Sequence, residues 1–145
     1  MTNVKDTAAK FVSAFNAHDK AALQAIHAEN IKFEAPGGVR LEGKGAVTGY
    51  AMRWLNGFPD AKIIVGNQVE CDSWLVQEFT LQGTQMAPLE GPAGMIPPTG
   101  KKVSSRAVSV GRYENGQIVE ARLYFDQTEL MTQLGLMPEL VGTGS

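Results

Sequence analysis

A chain of 145 residues is the length of one domain rather than two. Hydrophobic residues make up 43% and charged residues 19%, too apolar for a disordered chain and ordinary for a globular one with a real core. The 13 Lys and Arg against 15 Asp and Glu leave a net charge of -2 and no basic run to follow a phosphate backbone, so nucleic acid is not an expected partner; Cys71 with His18 and His27 is a poor inventory for a disulfide or a metal site.

Val4, Ala8, Phe11, Val12 and Phe15 recur at three- and four-residue steps, which predicts an amphipathic helix from about Asn3 to Asn16, capped by Asn3 with Asp6. Asn16-Ala17-His18-Asp19 breaks the stripe, and Asp19 can cap a second short helix that turns Leu23 and Ile26 inward. Ile31 and Phe33 alternate with Lys32 and Glu34 before Pro36-Gly37-Gly38, the pattern of a short strand ending in a turn. A third helix follows Gly45, carries Val47, Tyr50, Ala51, Trp54 and Leu55, and ends near Asn56-Gly57 with Gly as a left-handed cap.

From Ala61 the period changes to two: Lys62 to Val69, Trp74 to Gln82, Val103 to Tyr113 and Ile118 to Phe125 read as strands, with turns at Glu70 to Ser73 and Glu114 to Gln117. Helices first and hairpin-linked strands afterwards predict a single α+β domain over residues 1–145, a cone-shaped, curved antiparallel sheet packed on N-terminal helices around a pocket. Gln85 to Gly100, with Met86, Pro88, Gly91, Pro92, Gly94, Met95, Pro97 and Pro98, reads as a structureless rim or lid. Asp126 through Glu129 caps a short last helix with Leu130, Met131 and Leu134 and a stop at Gly135, and the tail from Met137, with Pro138, Gly142 and Gly144, reads as loosely held. The opening MTNVKDTAAK lacks a signal peptide's basic end and apolar run, and no stretch reaches the roughly 18 apolar residues of a membrane span, so a cytoplasmic location away from membranes is expected.

The order of two helices, a strand ending in Glu34-Ala35-Pro36-Gly37-Gly38, a helix, Phe58-Pro59-Asp60 and then curved strands resembles the nuclear-transport-factor-two-like superfamily. Gly83-Thr84-Gln85, Pro97-Pro98-Thr99-Gly100, Asn115-Gly116-Gln117-Ile118-Val119-Glu120 and Asp126 through Gln133-Leu134-Gly135 resemble the SnoaL-like polyketide cyclase and ester cyclase family, over residues 3 to 137. That resemblance implies the cone fold and a small-molecule pocket. It also implies, for Asp126, the general acid and base of an intramolecular aldol closure needing neither metal nor cofactor. The family's usual Gly-Thr-His has Gln85 in place of His, a group that carries no proton near neutral pH but can orient a carbonyl. The ketosteroid isomerases of the same superfamily place their working groups at positions matching Phe11, Ala35 and Ser109, none of which is ionisable, so that chemistry is disfavoured.

The catalytic set expected is therefore Asp126 moving the proton, with Gln85 and Tyr124 orienting an oxygen whose developing enolate charge they stabilise; the bland alternative is that Asp126 only caps the last helix. Phe33, Tyr50, Trp54, Phe58 and Trp74 could wall a pocket for an apolar carbonyl-bearing ligand, or be ordinary core. Glu34 faces either the cone mouth or solvent, Arg106, Arg122 and Glu120 either the cavity or the outward sheet face, and Met86 with Met95 reads as lid packing. His27, near a helix end, suits a positive imidazole and, like His18, is given no catalytic role; Cys71 between Glu70 and Asp72 is a poor nucleophile. Two further functions stay open: a binding or assembly module without chemistry, and epoxide hydrolysis by an acid-arginine-acid set from Asp126, Arg106 or Arg122, and Glu120 or Glu34. Val108, Val110, Leu123 and Phe125 alternate on strands whose two faces one helix layer cannot cover, so a homodimer through the sheet is expected.

Overall fold

The computed structural model describes residues 3–91 and 94–137; Pro92 and the expected tail with Pro138, Gly142 and Gly144 lie outside the described residues. Helix α1 (Val4–Asn16) starts where the Asn3 side chain accepts the Lys5 amide at 2.7 Å. It ends on Asn16, whose amide group holds the Ile63 backbone from both sides, accepting its N–H at 2.7 Å and donating to its carbonyl at 3.1 Å. The corner that follows has His18 at φ 57°, with Nε2 3.3 Å from the Ala61 carbonyl, and Asp19 then caps α2 (Lys20–Ile26) by accepting the Ala22 amide at 3.0 Å.

Strand β1 (His27–Ala35) begins directly at the α2 cap and is longer than its Ile31–Phe33 alternation predicts. Gly37 and Gly38, at φ 90° and 76°, then reverse the chain into β2 (Val39–Glu42), a strand absent from the expected order. Helix α3 (Lys44–Gly57) follows. Its last residue is not in the left-handed region expected of a glycine cap; Gly57 is needed because a Cβ there would lie 3.0 Å from the Leu89 side chain.

Strands β3 (Lys62–Cys71), β4 (Trp74–Thr84), β7 (Lys102–Glu114) and β8 (Gln117–Phe125) supply the long hairpins, the last through an Asn115-Gly116 turn with both residues at positive φ. The six-stranded sheet has the order β2-β1-β8-β7-β4-β3. It is mixed rather than wholly antiparallel, because β1 joins β8 in parallel. Register shifts at Val65/Gln68, Arg112/Tyr113 and His27/Lys32 are the bulges that bend it, and the helices fill its inner face. Helix α4 (Gln127–Gln133) closes one end: Gln133 accepts the Ser104 amide at 2.7 Å and donates to its carbonyl at 2.9 Å, and Leu134 is buried beneath.

The segment from Gln85 to Gly100 is not structureless. Strands β5 (Leu89–Gly91) and β6 (Gly94–Ile96) pair antiparallel, with Leu89 and Ile96 buried in the main core. Thr84 precedes it, pinned to Asp60 by its amide at 2.6 Å and its hydroxyl at 2.9 Å; the amide bond, foremost, holds the Asp60 pKa below its ordinary value. Gly83 is the residue that lets this corner close, since a Cβ there would meet Phe58 and Ala61 at 3.1 and 3.2 Å. No helix among the described residues is long and apolar enough to cross a membrane.

Candidate functional site

The two-residue period of the sheet decides what faces inward. On β7, Ser105, Ala107, Ser109, Gly111 and Tyr113 alternate onto the inner face, opposite Leu81, Phe79 and Gln77 of β4 and Phe125, Leu123, Ala121 and Ile118 of β8. Small residues on the central strand beside large ones on its neighbours leave a hollow. Phe11 and Phe15 of α1 and Val47, Tyr50 and Trp54 of α3 roof part of it, leaving a partly open cavity of about 140 Å³. The roof is an aromatic ladder: Phe33–Tyr50, Tyr50–Trp54 and Trp54–Phe125 centroids lie 4.9, 6.3 and 5.4 Å apart.

The polar groups of this cavity are neutral. His27, the first residue of β1, is only 3% exposed, and its Nδ1 lies 2.9 Å from the hydroxyl of the equally buried Thr48 on α3. Burial pushes its pKa from 6.5 down to about 4, so the imidazole is uncharged at neutral pH. Burial likewise pushes the Tyr113 phenol up to about 12 and raises that of Tyr50, against smaller opposing effects of Trp54 and Arg53; both remain O–H donors. Gln77 accepts from the Gln68 amide at 2.7 Å through Oε1, which leaves its own NH₂ for the cavity. Arg122 borders the cavity, but its guanidinium is committed to the other face, where Nη1 donates to Glu120 at 2.6 Å and the group sits 5.5 Å from the Trp74 ring centroid.

The expected catalytic trio does not converge. Asp126 is exposed and accepts the Thr128 and Glu129 amides through Oδ1 at 2.9 and 3.2 Å, capping α4; it borders a shallow groove on the outer sheet face, not the cavity. Tyr124 lies in the same outer groove, 53% exposed, because it is on the opposite parity of β8 from Leu123 and Phe125. Gln85 is fully buried and saturated: Nε2 donates to the carbonyls of Ala87 and Pro97 at 3.1 Å each and of Ile96 at 3.4 Å, while Oε1 accepts the Thr99 amide at 3.0 Å and its hydroxyl at 2.7 Å. No lone pair is left to orient a substrate.

Of the expected ligand contacts, Phe33, Tyr50 and Trp54 line the cavity. Phe58 is a core residue stacked behind Trp54 at 6.0 Å, and Trp74 belongs to the outer face beneath Arg122. Glu34 is exposed, as are Met86 and Met95 at 59% and 65%, and none of them borders the cavity. Arg106 is on the outer groove with Glu129 3.7 Å away, and Arg112, Glu114, Glu120 and Arg122 pair with one another across the outer face, so the acid-arginine-acid set is not assembled in the cavity. Among the described residues no three His, Cys, Asp or Glu gather as metal ligands. His27 is the group that sequence reasoning passed over: its position after a helix reads as a dipole partner, and only the packing of Phe11 at 6.0 Å and of Thr48 shows it buried and neutral.

Comparison with known proteins agrees with this architecture. The chain resembles a candidate SnoaL-like polyketide cyclase from Jannaschia sp. CCS1 at 21% identity and TM-score 0.81, over 93% of each chain. It resembles IdmH, a candidate polyketide cyclase from Streptomyces antibioticus, at 24% identity and TM-score 0.78 over 92% of this chain and 99% of that one. An LEH-like epoxide hydrolase of M. tuberculosis matches at 16% identity and TM-score 0.70, over 90% of this chain and 88% of that one. At these identities the likeness is one of fold. Among curated protein sequences none matches. The profile of the SnoaL-like polyketide cyclases, however, spans residues 5–134, and with its curved sheet and N-terminal helices the chain belongs to that family.

Proposed function

We propose that the protein binds an apolar, carbonyl-bearing small molecule in the interior cavity and performs cofactor-independent acid-base chemistry of the cyclase or isomerase kind on it. The observation that carries this reading is a largely apolar interior cavity holding a buried, neutral imidazole fixed by a hydroxyl. In the tautomer that donates Nδ1–H to the Thr48 oxygen, His27 offers the Nε2 lone pair as a base. It takes a proton alpha to the substrate carbonyl. The carbonyl oxygen, becoming an enolate, accepts from a Tyr113 or Tyr50 O–H, and the burial of these donors makes their hydrogen bonds count for more than in open solvent. The enolate carbon then either takes the proton back at a new position or attacks a second carbonyl to close a ring, with the imidazolium returning its proton to the new alkoxide.

Burial keeps the imidazole uncharged at neutral pH, so its lone pair is free to take a proton there. Asp126 keeps its structural duty as a cap in this account. The outer face carries Ile64, Val69, Val76 and Tyr124 exposed, which supports a homodimer burying sheet against sheet. The test of the function is deuterium uptake from D₂O alpha to the carbonyl of a small cyclic ketone, followed by proton NMR. Uptake above the buffer rate is expected; binding of the ketone without uptake would make the protein a container and not a catalyst.

A further inference from the structure

We infer that the ligand is a neutral molecule with a single six-membered ring and one or two polar oxygens, and not a fused polycycle or a carboxylate. This rests on the reading above that the interior cavity is the site. Its volume of about 140 Å³ matches the roughly 150 Å³ engineered cavity that takes benzene, so one ring with about two small substituents fills it.

Floor and roof do not recede to admit more. The floor at Gly111 is backbone with the Tyr113 phenol laid against it, ring and hydroxyl atoms 3.0–3.2 Å from where a Cβ would stand. The roof residue Trp54 is backed by Phe58, which is 1% exposed and part of the main core. Room for a second ring therefore means unpacking a core built at crystal-like density. The two sides of the cavity suit a flat ring, with small Ala107, Ser109 and Ala121 below and aromatic faces above.

Charge is excluded by the same surroundings. Arg122 is the one Lys, Arg, Asp or Glu among the residues lining the cavity, and its guanidinium is held by Glu120 on the other face, so a carboxylate or ammonium would enter without a fixed counter-ion. A ketone, enone or phenol oxygen instead finds donors in the tyrosines and in Gln77.

The experiment compares three probes by ligand-observed NMR and by quenching of tryptophan fluorescence: 3-methylcyclohex-2-enone, the tricyclic ketone anthrone, and 4-oxocyclohexanecarboxylate. The enone is expected to bind at least 10-fold more tightly than either of the others. Ala121→Leu, which fills the floor with an apolar side chain, is expected to weaken the enone at least 10-fold while the thermal midpoint holds or rises; should that variant misfold, Ser109→Val serves the same purpose. Anthrone or the carboxylate binding as tightly as the enone would overturn the inference, as would no binding of the enone at millimolar concentration or binding indifferent to both variants. The proposed chemistry fails separately: an enone that binds selectively but gains no deuterium leaves the ligand class standing and removes the catalysis, whereas deuterium uptake by anthrone does the reverse.

Discussion

Replacing Gln85 by Leu keeps the volume and strips five hydrogen bonds from one buried point. Four of these are between 2.7 and 3.1 Å, and the fifth, to Ile96, is 3.4 Å and weak. The polar groups left behind are mostly backbone: the carbonyls of Ala87 and Pro97 and the Thr99 amide. Each stranded buried group costs about 1–3 kcal/mol, although the partly buried ones recover some water. Leu at this site buries apolar surface that Gln does not, an offset of about 1–2 kcal/mol. The balance is a loss of about 3 kcal/mol, or roughly 10 °C in the melting midpoint of a domain this size. Circular dichroism during urea and thermal unfolding measures it, and amide exchange between Met86 and Thr99 should accelerate more than in β4 or β7. A loss below about 0.5 kcal/mol with unchanged exchange would show that Leu89, Ile96 and the backbone bonds to Gly57 and Lys101 hold that segment without the Gln85 side chain.

His27 makes stability depend on pH with a definite sign. Its folded pKa of about 4 lies below the unfolded 6.5, so the unfolded chain binds the extra proton between those values; stability is fully present above about pH 6.5 and falls towards pH 4 by about 3 kcal/mol. Urea unfolding of His27→Gln across pH 4 to 7 should lose that component, and an unchanged slope would show the imidazole to be charged or exposed. Asp126→Asn should change stability by well under about 1 kcal/mol, because Asn caps as well as Asp, while Asp126→Ala should cost about 1 kcal/mol through the lost bonds to Thr128 and Glu129; chemical denaturation separates them. Light scattering should give twice the chain mass of 15.6 kDa, and Val69→Lys with Tyr124→Lys should shift it to the monomer; a wild-type monomer at micromolar concentration and above would remove the dimer.

The helices were legible because their stripes and caps are local: Asn3, Asp19 and Asp126 each accept the amides their spacing predicts. The long hairpins were legible for the same reason, down to the Asn115-Gly116 turn. What escaped depends on pairing at a distance. Nothing near Ile31 signals a parallel neighbour some ninety residues on, and Val39–Glu42 is a strand only because β1 lies beside it. Leu89 and Ile96 looked like parts of a Gly- and Pro-rich loop because their burial comes from α3 and the main core.

At the site, residue type pointed to Asp126, Gln85 and Tyr124, but side-chain parity and bonding decide otherwise. Tyr124 is one residue out of phase with the inward-facing Leu123, and Gln85 is fully occupied by Thr99 and three carbonyls. The cavity itself comes from Ser105, Ala107, Ser109 and Gly111, small residues with no chemical signature, whose significance appears only once their register against β4 and β8 is set.

The proposed function requires proton transfer in the interior cavity at His27 and not on the outer groove at Asp126. Deuterium uptake by 3-methylcyclohex-2-enone, measured side by side for wild type, His27→Gln and Asp126→Asn, tests it most directly. His27→Gln is expected to lower the exchange rate by about 100-fold or more with enone affinity nearly unchanged, while Asp126→Asn stays within about 3-fold of wild type. Full activity in His27→Gln together with its loss in Asp126→Asn would contradict it.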